Sequence, residues 1–319
     1  MREITVKKND AGQRLDRFVA KTLPLLPAAL LQKYIRLKRV KVNERGSHRD
    51  ARLTEGDVLQ LYINDEFFDR PTEENRFLSI FRPSLDIVYE DENLLLVNKR
   101  PGLVVHADEN EKVNTLVNHI QAYLYQKKEW NPKRENSFSP ALCNRIDRNT
   151  GGIVIAAKNA EALRIINDKI RLHELQKSYL CVVIGRPNPT KGRIEGFLLK
   201  NEAKNQVAFY HHPVPGGRTA VTLYETLETR GDLSLVECEL LTGRTHQIRV
   251  SMAEIGHPLL GDGKYGDGRI NRRYHEQKQL LYSYRLAFCF TSDAGILEYL
   301  RDREFTVEDI PFRSRYFHA

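Results

Sequence analysis

The sequence is poor in the features that announce ready-made chemistry. Its four cysteines, Cys143, Cys181, Cys238 and Cys289, stand far apart with no CxxC pair. That spacing excludes a zinc knuckle and a disulfide framework, and predicts buried free thiols. There is no Walker phosphate loop, no glycine-rich dinucleotide turn after a strand, no HExxH and no Cys/His cluster, so neither a metal nor an organic cofactor is expected. No apolar run approaches the roughly 20 residues that span a bilayer. The opening Met1 to Lys8 also lacks the apolar core and small-residue cleavage site of a secretory signal. The expectations are no membrane partner and a cytoplasmic location. The single tryptophan, Trp130, has no aromatic series around it to form a stacking platform and reads as a loop anchor.

What is present is an ordinary globular composition. The 319 residues are 41% hydrophobic and 29% charged, enough for one large unit and a small accessory module. The formal net charge of +8 is unevenly spread. Residues 1–63 hold 14 Lys and Arg against 7 Asp and Glu, whereas the other 256 residues hold 36 against 35. An excess of +7 in the first fifth of the chain marks a module for an anionic partner.

Helical spacing of Leu15, Phe18, Val19 and Leu23, and of Leu30, Leu31, Tyr34 and Ile35, predicts two helices separated by Pro24 and Pro27. Arg14, Arg17, Lys21, Lys33, Arg36, Lys38 and Arg39 fall on their polar faces, as long cations that a phosphate backbone recruits. Short alternating segments around Val40–Val42 and Val58–Tyr62 predict a small hairpin. Arg14-Leu15-Asp16, Arg39-Val40-Lys41-Val42-Asn43 and Glu55-Gly56-Asp57-Val58 together resemble the S4 RNA-binding domain, named for ribosomal small-subunit protein four. The resemblance implies a small α/β module over residues 1–63 that holds structured RNA. The plain alternative is a surface merely solubilised by cations. Residues 64–83, acidic, proline-containing and without a period, read as a linker, which leaves 84–319 as the larger domain.

In that larger part, Ile87–Tyr89, Leu94–Val97 and Leu103–Val105 read as strands, with Pro101-Gly102 at the middle of a type II turn. A helix is expected from about Thr115 to Tyr125. Gly151-Gly152 leads into a buried strand, Ile153–Ala157, after which Asn159 caps a helix carrying Leu163, Ile166 and Ile170. Tyr179–Ile184 and Leu235–Leu241 are further strands. Many strands, hairpin turns and few helices predict an α+β fold with a largely antiparallel sheet, not a doubly wound one.

Two segments concentrate polar residues beside apolar elements. In Cys143-Asn144-Arg145-Ile146-Asp147-Arg148-Asn149-Thr150-Gly151-Gly152, a carboxylate sits between two arginines, and flanking cations would hold it ionised at neutral pH. From spacing alone, a structural salt bridge at a strand entrance is the stronger reading. In Thr242-Gly243-Arg244-Thr245-His246-Gln247-Ile248-Arg249, Thr245 is placed to cap a helix that buries Ile248, Met252 and Ile255 and ends at Gly256. Arg249 then lies off the core face, able to meet a carboxylate from another element. Arg244 and His246 suit phosphate contact or capping as well as catalysis.

Read in order, these two segments, Lys177-Ser178-Tyr179 and Gly256-His257-Pro258-Leu259-Leu260-Gly261-Asp262-Gly263-Lys264-Tyr265-Gly266 closely resemble the RluA family of pseudouridine synthases. Val88-Tyr89-Glu90-Asp91-Glu92-Asn93, Val97-Asn98-Lys99-Arg100-Pro101-Gly102 and Val105-His106 resemble it too. The resemblance implies a pseudouridine synthase fold with a central mixed sheet and an activity that isomerises uridine in structured RNA without a cofactor. By matching motif it places the essential aspartate at Asp147 and the arginine that fills the space of a flipped uridine at Arg145. It likewise places the base-packing tyrosine at Tyr179 and the arginine that pairs with the aspartate at Arg249. Arg148, Arg244 and His246 are expected to contact the RNA. Asn144 departs from the family's usual histidine, Ile146 from its leucine, and Ser251 from a histidine found in many members.

The chemistry agrees with what is absent, since breaking C1′–N1 and rejoining the base through C5 needs neither redox change nor energy input. One carboxylate suffices to relieve charge at the ribose, whereas a glycosidase that releases the base calls for a second to activate water. A non-catalytic RNA-binding factor is the rival from another class, favoured if Asp147, Tyr179 and Arg249 do not converge. The accessory module makes folded ribosomal RNA, of the large subunit, the preferred substrate over transfer RNA. A monomer is the simplest assembly.

Overall fold

The computed structural model describes residues 1–68, 72–201 and 206–317, which group into two compact units. The first comprises Met1–Ser84, Ala107–Ala141 and Ala157–Arg164, and the second Leu85–His106, Leu142–Ala156 and Ile165–Ala319.

The first unit opens with β1 (Arg2–Thr5), α1 (Leu15–Thr22), α2 (Ala28–Arg36), β2 (Val40–Val42), β3 (Arg45–Gly46) and β4 (Val58–Leu61). Its sheet runs β1-β4-β2-β3 with every pair antiparallel. The apolar stripes of the two helices and the inward residues of the strands meet in one core, including Leu15, Phe18, Val19, Leu31, Val40, Leu59 and Leu61. Pro27 stands at the residue before α2, where a missing N–H costs nothing. This unit does not stop at residue 63. The buried Asp10 carboxylate accepts hydrogen bonds from Asn136 Nδ2 (2.7 Å) and Ser137 Oγ (2.6 Å). The stretch read as a linker carries 3-10 turns at Asp65–Phe68 and Thr72–Ser79, and buries Phe77. The Phe77 ring lies 5.4 Å from Tyr125 of α3 (Leu116–Gln126) and 5.1 Å from Trp130, which is the anchor its isolation suggested. Thr115 caps α3 by accepting the Asn118 N–H.

The second unit is built on a large mixed sheet. Its strands are β5 (Ile87–Glu90), β6 (Leu94–Lys99), β7 (Ala141–Leu142), β8 (Gly151–Ala157), β9 (Leu175–Ile184), β10 (Lys191–Asn201), β11 (Gln206–Tyr210), β12 (Arg218–Arg230), β13 (Leu233–Leu240), β14 (Leu281–Phe288) and β15 (Glu304–Thr306). They lie in the order β11-β10-β12-β13-β9-β14-β8-β6-β5, with β15 beside β14 and β7 beside β8. Pairing is antiparallel from β11 through to β14, and β8 joins β14 in parallel, so the expected α+β sheet is what forms. Helix α4 (Ala160–Arg171) follows β8, and the Asn159 side chain caps it through the Ala162 N–H. Helix α5 (Gln247–Glu254) follows β13, α6 (Gly268–Arg273) precedes β14 and α7 (Pro311–Tyr316) follows β15.

The four cysteines are free thiols. Cys181 and Cys238 are buried on adjacent strands, but Cys143 is half-buried and Cys289 is exposed, against the expectation of buried thiols. Cys289 lies just past the end of β14, where the sheet no longer covers it.

The entry to β8 shows why two glycines stand there. Gly151 and Gly152 face Tyr282 and Ser283 of β14, and a Cβ on Gly152 would sit 2.1 Å from the Ser283 carbonyl oxygen, at a φ of +111°. Neither the space nor the backbone admits a side chain. Gly152→Ala is expected to lower unfolding stability by at least about 2 kcal/mol, read as a reduced urea midpoint; an unchanged midpoint would show that β8 approaches β14 less closely.

Candidate active site

Within the second unit, a cavity of about 280 Å³ is lined by both polar segments together with β9. Asn144, Arg145, Ile146 and Asp147 come from the loop before β8, Arg244, Thr245 and His246 from the turn before α5, Arg249 from α5, and Lys177 and Tyr179 from β9. The size suits one small ring system.

The loop is fixed from both sides. The Cys143 N–H donates to the Ile155 carbonyl and the Ile155 N–H donates to Asn144 Oδ1, each at 2.8 Å. Asn144, the departure from the family's usual histidine, thus clips the loop to β8. On the other side, Lys99 is buried and donates to the carbonyls of Arg100 (3.1 Å), Leu103 (2.8 Å) and Arg148 (2.9 Å). The Gly102 N–H joins it on the Arg148 carbonyl, so the Pro101-Gly102 turn holds the residue next to Asp147. Burial pulls the Lys99 ammonium down to about 7, against the attraction of Asp147.

Arg249 is the centre of the charge arrangement. Its Nη1 donates to Asp147 Oδ2 at 2.9 Å, while Nε and Nη2 donate to the two oxygens of Asp262 at 2.7 and 2.9 Å. Arg249 and Asp262 are buried and Asp147 is half-buried. Burial disfavours the guanidinium charge, but the carboxylates outweigh it and raise its pKa. Asp262 also accepts the backbone N–H groups of Lys264 (2.8 Å) and Tyr265 (3.2 Å), and its carboxyl is held below the usual range despite burial.

A neutral relay faces the same carboxylate. The Val207 N–H donates to the Tyr265 oxygen at 2.8 Å, and His246 Nδ1 is hydrogen-bonded with the same oxygen at 2.8 Å. His246 Nε2 lies 3.7 Å from Asp147 Oδ2. Burial drags His246 down to about 4, with Asp147 opposing and Arg249 assisting. His246 adopts a left-handed conformation (φ 56°) immediately before α5, which corrects the expectation that Thr245 caps the helix. The turn carries Thr245 out to an exposed position. Gln247 Oε1 instead accepts the Arg244 N–H (3.0 Å) and the Thr242 hydroxyl (2.9 Å).

The other expected residues divide. Tyr179 is buried on β9 between Cys238 of β13 and Ser283 of β14, and burial pushes its phenol up to about 12, countered by a hydrogen bond with Ser283. Arg145 is exposed at the cavity, and Arg244 donates its Nε to the Thr219 carbonyl at 3.0 Å. Arg148 is exposed and is not among the lining residues. In the first unit, Lys33, Arg36 and Lys38 gather around a concavity of their own with His48 and Arg49. Arg39 lies over the Tyr34 ring, and Arg14 is paired with Asp16 at 2.6 Å. Sequence reasoning missed Asp262 and Tyr265 as partners. Both sit inside the quoted Gly261 to Gly266 stretch, but nothing in their spacing names Arg249 or His246. Among the described residues no group of three His, Cys, Asp or Glu suits a metal ion.

An imidazole near 6.5 in the unfolded chain and near 4 when folded binds its proton first in the unfolded state. It therefore removes stability as pH falls from about 6.5 through 4. Replacing His246 by Gln is expected to make the pH dependence of the urea midpoint shallower over that window; an identical slope would contradict the buried, neutral ring.

Residues 93–254 match the family described as RNA pseudouridylate synthase. An uncharacterized RNA pseudouridine synthase of Mycoplasma genitalium is 31% identical over 89% of this chain and 88% of its own length. Ribosomal large subunit pseudouridine synthase D of Neisseria meningitidis is 32% identical over 89% of this chain and 74% of its own. The solved structure of human RNA pseudouridylate synthase domain containing 1 shares the fold, with a TM-score of 0.56 at 22% identity over 73% of this chain and 86% of that one. With its motifs, fold and relatives in agreement, the chain belongs to the RluA family of RNA pseudouridine synthases.

Proposed function

We propose that this RNA pseudouridine synthase acts on large-subunit ribosomal RNA, with Asp147 as the catalytic carboxylate. The observation that supports this most is the half-buried Asp147 held by Arg249 in a base-sized cavity that Tyr179 also lines. The preference for ribosomal RNA rests on relatives such as synthase D, whose name carries that substrate.

A uridine in folded RNA must first leave its stack, which costs a few kcal/mol. Arg145, exposed at the cavity, fills the gap, and Tyr179 covers the base. Once the C1′–N1 bond breaks, Asp147 relieves the ribose either by attacking C1′ or by taking the C2′ proton. Tyr179, with its phenol pushed up to about 12, stays protonated at neutral pH and serves as a packing ring, not a base for the C5 proton. Asp262 is the second carboxylate of the site, yet it is buried and spent on Arg249 and two backbone N–H groups. It has no face left to activate water, which argues against a base-releasing glycosidase.

Residues 1–63 are proposed as an S4-like module that holds the RNA, with Lys33, Arg36 and Lys38 around one concavity as its phosphate contacts and Arg39 beside them. Arg14, tied to Asp16, contributes less.

The test is pseudouridine mapping of total RNA from host cells lacking the protein, rescued by wild type or by Asp147→Asn. Specific large-subunit sites should vanish and return only with wild type. Sites lost from another RNA class overturn the substrate, and rescue by Asp147→Asn overturns the role of the carboxylate.

A further inference from the structure

Of the four Arg and Lys side chains that line the cavity, two are used by the protein itself and Arg145 is exposed. Arg249 is bound by Asp147 and Asp262, and Arg244 by the Thr219 carbonyl. Lys177 is different. It lines the cavity from β9, half-buried, and among the described residues nothing accepts a hydrogen bond from its ammonium. Burial lowers its pKa. An ammonium withdrawn from water without an acceptor costs stability, so a ligand is the natural partner.

The position says which part of a ligand it meets. Lys177 and Tyr179 lie two apart on one strand, opposite Leu286 and Ser283 of β14, so their side chains share a face and stand roughly 7 Å apart. A base covered by Tyr179 therefore presents an edge to Lys177.

We propose that Lys177 is the cation that holds the uracil ring while it is detached from the ribose. The proposal rests on the pseudouridine synthase reading of the site. Heterolysis of C1′–N1 leaves its electron pair on the uracil, as an anion spread over N1, O2 and O4. C1′ is relieved by Asp147, either as an ester or by loss of the C2′ proton to the carboxylate. In the first case C5 displaces the carboxylate. In the second C5 attacks C1′ as the proton returns to C2′. In both, the C5 proton then leaves to solvent and N1 takes up a proton, which gives the neutral product base. To bring C5 where N1 was, the ring turns over about its N3–C6 axis, and that turn exchanges O2 with O4 in space. One ammonium at that edge thus meets a carbonyl oxygen before and after the turn. Its hydrogen bond strengthens as the anion forms, which is the kind of contact that lowers a barrier without tightening ground-state binding.

The experiment is single-turnover tritium release from transcribed, unmodified large-subunit ribosomal RNA carrying [5-³H]uridine, with the full-length protein. Lys177→Met and Lys177→Gln are expected to lose about 100-fold or more in rate while RNA affinity by filter binding changes little. Lys177→Arg should recover a large part of the rate. The Gln variant keeps a neutral N–H donor of similar reach, should Met disturb the fold. A Gln variant as fast as wild type, a parallel loss of rate and affinity, or an Arg variant as slow as Gln would each overturn the role of Lys177. A wild type that releases no tritium overturns the functional reading, and this proposal with it.

Discussion

The site depends on one guanidinium shared between two carboxylates. Arg249 spends two of its N–H groups on the buried Asp262 and donates a third to Asp147. A buried arginine with a single partner would be expensive, because desolvation exceeds what one contact returns. The bidentate grip of Asp262 offsets that cost and fixes the direction in which the Nη1–H toward Asp147 points. The Asp147 carboxylate is thereby aimed without being enclosed. The same Asp262 carboxylate takes the Lys264 and Tyr265 N–H groups, which sets the loop carrying Tyr265, and Tyr265 sets His246. A single buried anion thus organises both the charged and the neutral neighbours of Asp147.

Around that centre the scaffold supplies rigidity by ordinary means. The entry to β8 is pressed against β14 where only glycine fits, and the loop before it is clipped by Asn144 and by the Lys99 ammonium. A carboxylate on an unrestrained loop would lose the geometry that makes a bound base react. Tyr179 is fixed on a central strand, with β13 and β14 on either side. The basic excess of the chain sits in the first unit and the candidate site in the second.

Much of this was legible in the sequence because it follows from local pattern. The helices of the basic module come from apolar spacing and from two prolines, and the start of α4 from Asn159. Arg249 was expected off the core face and within reach of a carboxylate, and it meets Asp147 across 102 residues. What was not legible is long-range partnership. Asp262 and Tyr265 were visible as part of a motif, but which side chains they hold is set by tertiary closure. Thr245 was a reasonable cap by residue type, and the left-handed turn at His246 displaced it for the sake of the relay to Asp147. The stretch before residue 84 looked like a linker because its composition is acidic and aperiodic, yet the buried Phe77 packs on Tyr125 and Gln126 of α3 donates to the Ile80 and Phe81 carbonyls.

The most direct test of this arrangement is the single-turnover rate of uridine isomerisation for Arg249→Met, Asp262→Asn and the double variant. If Asp262 acts on Asp147 mainly by holding Arg249, the double variant should lose clearly less than the product of the two single losses. Losses that multiply in full would contradict the account, since they would leave Arg249 and Asp262 with independent roles.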